Sequence, residues 1–269
     1  MPEYGWKTIR IMKIAIEGKE NKAIDLIKMK GAIIAYSVNK KDDLISGFTK
    51  KTSIQEEKYL ETFFMKKEKK KYNTLDANNN QVKETYEPGE VTPIYIFDSG
   101  FVVFETTNLI RGSEVIQCLS DAWSKYENSK VIVKEIKFSN SIFRSLYKDF
   151  DIVNRISLAN IGEMKPNPHP GPKIIESITR AYGEEVNTTT ATAKKNGNLK
   201  KAQLVDQGFE RYSRMTEIQG KIGKLYYSIR KSGRISLEAP DALDERKEKF
   251  LSFAKKFIKM FNEEKEVGI

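Results

Sequence analysis

The residues most suggestive of chemistry are Glu135-Ile136-Lys137, within KVIVKEIKF (130–138). On a strand, alternate side chains share a face, so Glu135 and Lys137 would project together. Metal-dependent nucleases combine carboxylates that hold magnesium with a lysine that orients water or stabilises charge. Asp98, in a turn, or Asp121, on a helix, can supply the first acid of such a set. Magnesium held through Glu135 would be its cofactor, and outside this reading no cofactor is expected. An exposed strand face with an ordinary cross-strand ion pair explains the same spacing.

The chain offers few other reagents. It has one histidine, His169, and one cysteine, Cys118. A Ser-His-Asp or Cys-His arrangement would have to use His169. A zinc site drawing three or four ligands from Cys and His is excluded by the count. His169 lies in GEMKPNPHPGP (162–172), which holds four of the eight prolines. Alternating prolines favour polyproline II and forbid helix and ladder bonds, so this segment reads as a stiff joint and His169 as a solvated loop residue. GKIGK lacks the spacing of a phosphate-binding loop, which rules out that kind of nucleotide triphosphatase.

The larger signal is cationic. The formal charge is +10, and the segment from Lys194 to Arg234 alone carries +8. Its cations are Lys194, Lys195, Lys200, Lys201, Arg211, Arg214, Lys221, Lys224, Arg230, Lys231 and Arg234, against Asp206, Glu210 and Glu217. Aromatic residues lie among them, Tyr226 in particular. Lysine and arginine neutralise phosphates, and aromatic rings stack on exposed bases. The expected partner is therefore nucleic acid, DNA or RNA, bound mainly through its backbone. A solvated basic face is the plainer alternative. A second cluster, MKKEKKKY (65–72), has five lysines against one glutamate and can extend such a footprint or blunt an edge strand.

The elements that must position these residues follow from hydrophobic periodicity. TIRIMKIAIEG (8–18) alternates apart from a break at Met12–Lys13, readable as a bulge. NKAIDLIKM reads as a short amphipathic turn, and GAIIAYSV (31–38), apolar and rich in β-branched residues, as a strand. DLISGFTKKT and KYLETFFMKKEKKKYNTL read as further strands, the second with a helical start as its alternative. DANNNQ and YEPGE are breaks. VTPIYIFDSGFVVFETTN (91–108) is a predicted hairpin with DSG at its turn. GSEVIQCLSDAWSKYE (112–127) is a predicted helix with Ser113 as N-cap and Val115, Ile116, Leu119, Ala122, Trp123 and Tyr126 on its apolar face. A strand over 130–138, a short helix in SNSIFRSLYKDF and a strand in DIVNRISLANI follow. The order over 91–161 suggests a two-layer sandwich, ferredoxin-like in connection by analogy.

Beyond the prolines, GPKIIESITRAYG reads as a helix and VNTTTATA as a strand or loop. Residues 198–220 have helical spacing, and KLYYSIRKSGRISLEAP (224–240) reads as a hairpin. Residues 240–264 form an amphipathic helix, capped by Asp241 or Asp244. Its apolar stripe includes Phe250, Leu251, Phe257, Ile258 and Phe261 and can pack inward or join a second copy, which gives assembly through protein contacts as a third reading.

The fold class is thus α+β: a mixed or antiparallel sheet packed with helices, strand-rich in its first half, with a more helical, basic C-terminal part. The domains are 1–162, with a sub-boundary near 76–90; the joint at 163–172; and 173–269. No signal peptide or membrane span is read, and one unpaired cysteine suits a reducing cytoplasm. Abundant Ile, Lys and Asn fit a low-GC genome or mobile element, and with it a role in regulation or antiviral defence.

Overall fold

The computed structural model describes residues 4–20, 22–39, 46–56, 58–76, 79–87, 89–134, 136, 138–159, 188–195, 197–201, 215–230, 233–240 and 243–267. The proline joint with His169, the helix expected over 171–183, Glu135, Lys137, Arg211, Arg214, Lys231 and Asp241 lie outside these residues. The protein is α+β, with antiparallel sheet and, among the described residues, four α-helices. It divides into two compact units. One comprises residues 7–136 and 244–254, the other 1–6, 137–243 and 255–269.

In the first unit, strand β1 (Tyr4–Ile16) leads to helix α1 (Leu26–Asn39). Strands β2 (Ser46–Phe48), β3 (Ser53–Gln55), β4 (Tyr59–Lys66), β5 (Glu68–Asp76) and β6 (Asn79–Glu87) follow. Then come β7 (Val91–Phe97), β8 (Phe101–Thr106), helix α2 (Gly112–Glu127) and β9 (Val131–Lys134). The sheet order is β1-β8-β7-β4-β2, with β3 also on β4 and β9 on β1. Strands β5 and β6 form a separate two-stranded ribbon. The hairpin expected over 91–108 is β7–β8, turning at Gly100 with φ of 84°. A Cβ there would collide with the Ile14 carbonyl, so the position needs glycine.

Several expectations are corrected. Residues 31–38 are helical, not extended. Met29, Ala32, Ile33 and Tyr36 follow helical spacing and are buried against the sheet, so packing overrides the β-branched composition. Asp25 Oδ1 caps α1, accepting from the amides of Ile27 and Lys28 at 3.0 and 3.1 Å. The segment 59–76 forms two strands, β4 and β5, separated at Lys67, without a helical start. The N-cap of α2 is Arg111, not Ser113, and the Arg111 amide donates to Glu114 at 3.2 Å. Tyr126 is 48% exposed rather than part of the apolar face. Of the strand expected over 130–138, β9 accounts for Val131–Lys134, and Glu135 and Lys137 lie outside the described residues.

The break at Met12–Lys13 is not a bulge. The β1–β8 register runs unshifted from Thr8↔Thr106 to Lys13↔Phe101. What changes is the face. Ile14 and Ile16 join the core under α1 and α2. Ile9 lies opposite Glu105, whose carboxylate pairs with Arg246 at 3.0 Å, so Ile9 and Ile11 face the other side. Arg246 belongs to helix α4 (Leu243–Val267), whose residues 244–254 are part of this unit. Both sheet faces are therefore covered. Lys247 of the same helix pairs with the buried Glu61.

The second unit contains helix α3 (Asn140–Asp149) and strands β10 (Ile152–Ala159), β11 (Thr188–Thr192), β12 (Met215–Ile222), β13 (Leu225–Arg230) and β14 (Arg234–Pro240). Ser139 caps α3, accepting from the Ile142 amide at 3.2 Å. The order is β11-β10-β12-β13-β14, with every neighbouring pair antiparallel. Residues 215–220 of the span with helical spacing thus belong to strand β12, which is paired on both sides. Phe138, Phe143, Phe150, Val153, Ile156, Ile218, Ile229, Ile235 and Phe257 are buried, with the Phe138 and Phe257 rings 4.6 Å apart. Helix α4 begins at Leu243, so Asp244 lies within its first turn instead of capping it. Phe250, Phe257 and Ile258 of its stripe are buried. The six elements of the ferredoxin-like analogy are shared between the units, β7, β8, α2 and β9 in one and α3 and β10 in the other.

Candidate nucleic-acid interface

Register alone sorts the cations of the second unit. Glu217 lies opposite Arg230, Gln219 opposite Ser228 and Lys221 opposite Tyr226, so these six share a face. Ser236, opposite Ser228, extends it, and Arg234 falls two residues earlier on the same side. On the other flank, Arg155 lies opposite Gln219, and Ser157 opposite Glu217. One face of this sheet is therefore polar, while Val153, Ile156, Ile218, Ile229 and Ile235 fill the other.

The centre of the polar face is a hydrogen-bonded network. Glu217 is 8% exposed, and its Oε1 accepts from Gln219 Nε2 at 3.0 Å, Ser228 Oγ at 2.7 Å and Arg230 Nε at 3.1 Å. Burial raises the Glu217 pKa, but these three bonds and the Arg230 charge outweigh it and hold the carboxyl below its ordinary value. Arg230 is thus partly neutralised, while Arg234 on the next strand is exposed.

The lysines gather at one end of the sheet. There β12 ends and β13 begins, around Gly223 and Lys224; Gly223 has φ of 60°, which suits the first turn position of a tight hairpin. The turn holds Lys224 exposed at its tip. Lys221 Nζ lies 4.5 Å from the centroid of the Tyr226 ring, a cation–π contact. Lys221 is opposite Ile152 at the start of β10, and the Arg155 side of β10 pairs with Thr192 at the end of β11. The exposed Lys194 and Lys195 follow directly. Their loop is pinned here, because Asn198 Oδ1 accepts from the Val153 amide at 2.9 Å and its Nδ2 donates to the Asp151 carbonyl at 3.0 Å.

The nearby carboxylates are occupied. Asp151 Oδ2 accepts from the Gly223 amide at 2.7 Å, and Asp149 pairs with Lys256 at 2.6 Å. Among the described residues no ion pair involves Lys194, Lys195, Lys221 or Lys224. Lys200 differs from them: its ammonium donates to the carbonyls of Lys148 and Phe150, and its own carbonyl accepts from Tyr147 Oη at 2.6 Å. It is a structural peg. Of Lys201 the backbone alone is described, in a 3-10 turn at Leu199–Lys201.

The predicted cations are therefore brought together in part. Lys194, Lys195, Lys221, Lys224 and Tyr226 share one sheet end. Arg230 and Arg234 lie at the opposite end, about 13 Å away along four residues of strand. Sequence reasoning missed Arg155, exposed on the polar face. Simple alternation along β10 would set Arg155 beside Val153, but the register shift between them moves Arg155 to the polar side.

Of the acids of the metal-site reading, Asp98 and Asp121 are described and lie in the first unit. Asp98, in the β7–β8 turn, accepts from the Ser99 amide at 2.6 Å, and Asp121 accepts from Gln117 Nε2 at 2.8 Å along α2. Among the described residues no three His, Cys, Asp or Glu side chains group as a metal site. No protein-family model matches this chain, and no curated protein matches it. Among the described residues no helix is long and apolar enough to cross a membrane.

Proposed function

We propose that this protein binds nucleic acid, chiefly through phosphate contacts at the lysine-rich end of the second unit's sheet. The observation that carries the reading is the convergence there of Lys194, Lys195, Lys221 and Lys224, with both adjacent aspartates already engaged. Ammonium groups that form no ion pair among the described residues, held at a strand end and on anchored loops, are suited to neutralising successive phosphates, and Tyr226 adds a ring beside them. Contacts of this kind favour affinity over sequence selectivity.

The test is an anisotropy titration with single-stranded and duplex DNA and RNA at several salt concentrations, with and without magnesium. Affinity should fall linearly with salt on logarithmic axes. Lys221→Ala combined with Lys224→Ala should lower the slope by about two. Lys28→Ala should leave it unchanged, because Lys28 is paired with Glu127 in the other unit. A wild-type chain with no salt-dependent binding would overturn the reading.

A further inference from the structure

The polar face of the second unit's sheet extends over five strands, about 19 Å from β11 to β14. Register arranges it in rows. Lys221 and Tyr226 form one row. Arg155, Gln219, Ser228 and Ser236 form the next. Ser157, Glu217 and Arg230 form the third, with Arg234 beside Arg230 on β14. Successive rows step about 7 Å along the strands, and each carries a cation.

The face also carries two acids, Glu217 and Glu238, against the four cations Arg155, Lys221, Arg230 and Arg234. Glu217 is buried and engaged within the face. Its bond to Arg230 Nε leaves the Arg230 side chain 49% exposed. A carboxylate that fixes one edge of a guanidinium presets its other nitrogens before any ligand arrives. Arg155 and Arg234 are exposed, and among the described residues neither forms an ion pair.

Charge and breadth together select the occupant. A net cationic face that runs without a break into the lysine end suits a polyanion. The major groove of duplex DNA, about 12 Å wide, admits a helix or a two-stranded ribbon but not five strands abreast. A single strand can lie on a sheet, with its phosphates on cations and its bases against rings and hydrogen-bonding side chains. Tyr226 supplies one ring. Trp6 supplies another: it is 57% exposed, belongs to this unit, and lies on β1, the strand next to β14.

We infer that this polar sheet face is a platform for single-stranded nucleic acid, with Arg155, Arg230 and Arg234 on the phosphates and Trp6 and Tyr226 against the bases. This rests on the reading that the protein binds nucleic acid, and adds to it the ligand form and a track leading away from the lysine end.

The experiment uses the full chain as wild type, as Arg155→Ala with Arg234→Ala, as Arg155→Lys with Arg234→Lys, and as Trp6→Ala. Each is melted to confirm folding, then titrated with labelled oligo(dT), oligo(rU) and a mixed-sequence duplex at several salt concentrations. The alanine pair should lower the single-strand salt slope by about 1.4 and leave duplex affinity unchanged, while the lysine pair keeps the slope. Trp6→Ala should weaken single-strand binding about fivefold or more. Of the chain's two tryptophans, Trp123 is only 4% exposed, so emission quenched by bound bases reports Trp6. A single-strand slope equal to wild type in the alanine pair overturns the platform, whatever Lys221→Ala with Lys224→Ala does to binding. An equal loss of duplex and single-strand affinity in that pair also overturns it. Displacement of the oligonucleotide by an oligoglutamate peptide of matched charge does so too, because the face then takes any acidic chain. A wild-type chain that binds no nucleic acid removes the platform together with the lysine site.

Discussion

Gly220 and Glu217, two residues of β12, show how the candidate interface is held. A Cβ on Gly220 would collide with the Ile152 carbonyl and come within 2.9 Å of the Phe150 ring. Gly220→Ala should therefore cost about 1–3 kcal/mol, read by denaturant melts. It should also lower nucleic-acid affinity by displacing Lys221. Glu217 gives a pH prediction. Its folded pKa is depressed, so its stabilising contribution is present above the ordinary carboxylate pKa of about 4.3 and is lost as pH falls through the lowered folded value. Glu217→Gln should flatten that acid limb when melts are compared below and above this pH. Neither role was legible in the sequence. Gly220 sits in GKIGK, which read along the chain yields only the exclusion of a phosphate-binding loop. Its necessity comes from β10, more than sixty residues away.

Among the elements, those set by local periodicity were legible and those set by distant packing were not. The β7–β8 hairpin, α2 and the long C-terminal helix announce themselves through alternation or a helical stripe. Helix α1 does not, since GAIIAYSV has a strand's composition and takes its form from burial against the sheet. Strand β12 was hidden for a similar reason: its pairing partners β10 and β13 cannot be read from its own residues. The charged face of α4 was legible as polar, but its function was not. Arg246 and Glu105, with side chains 11% and 5% exposed, form a buried pair within the first unit. Arg246→Ala leaves Glu105 buried without its guanidinium and should destabilise by about 3–5 kcal/mol in thermal or denaturant melts. Replacing both by apolar residues of similar size should recover much of that loss.

At the scale of the whole molecule, composition stated the sign of the charge but not its arrangement. The described cations of the +8 segment are divided by the sheet into a lysine end, an arginine end and a peg at Lys200, a division that depends on pairings no linear count contains. The α+β class itself was legible, because enough of the chain alternates cleanly.

The phase change in β1 has a consequence for how this chain tolerates change. Ile9 and Ile11 serve one cover and Ile14 and Ile16 another, so the irregular spacing is the instruction that lets one strand carry helices on both sides. Losing a single residue between Ile11 and Ile14 would produce a tidier amphipathic sequence. It would also turn the last two isoleucines toward the wrong helix and withdraw β1's contribution to the layer under α1 and α2.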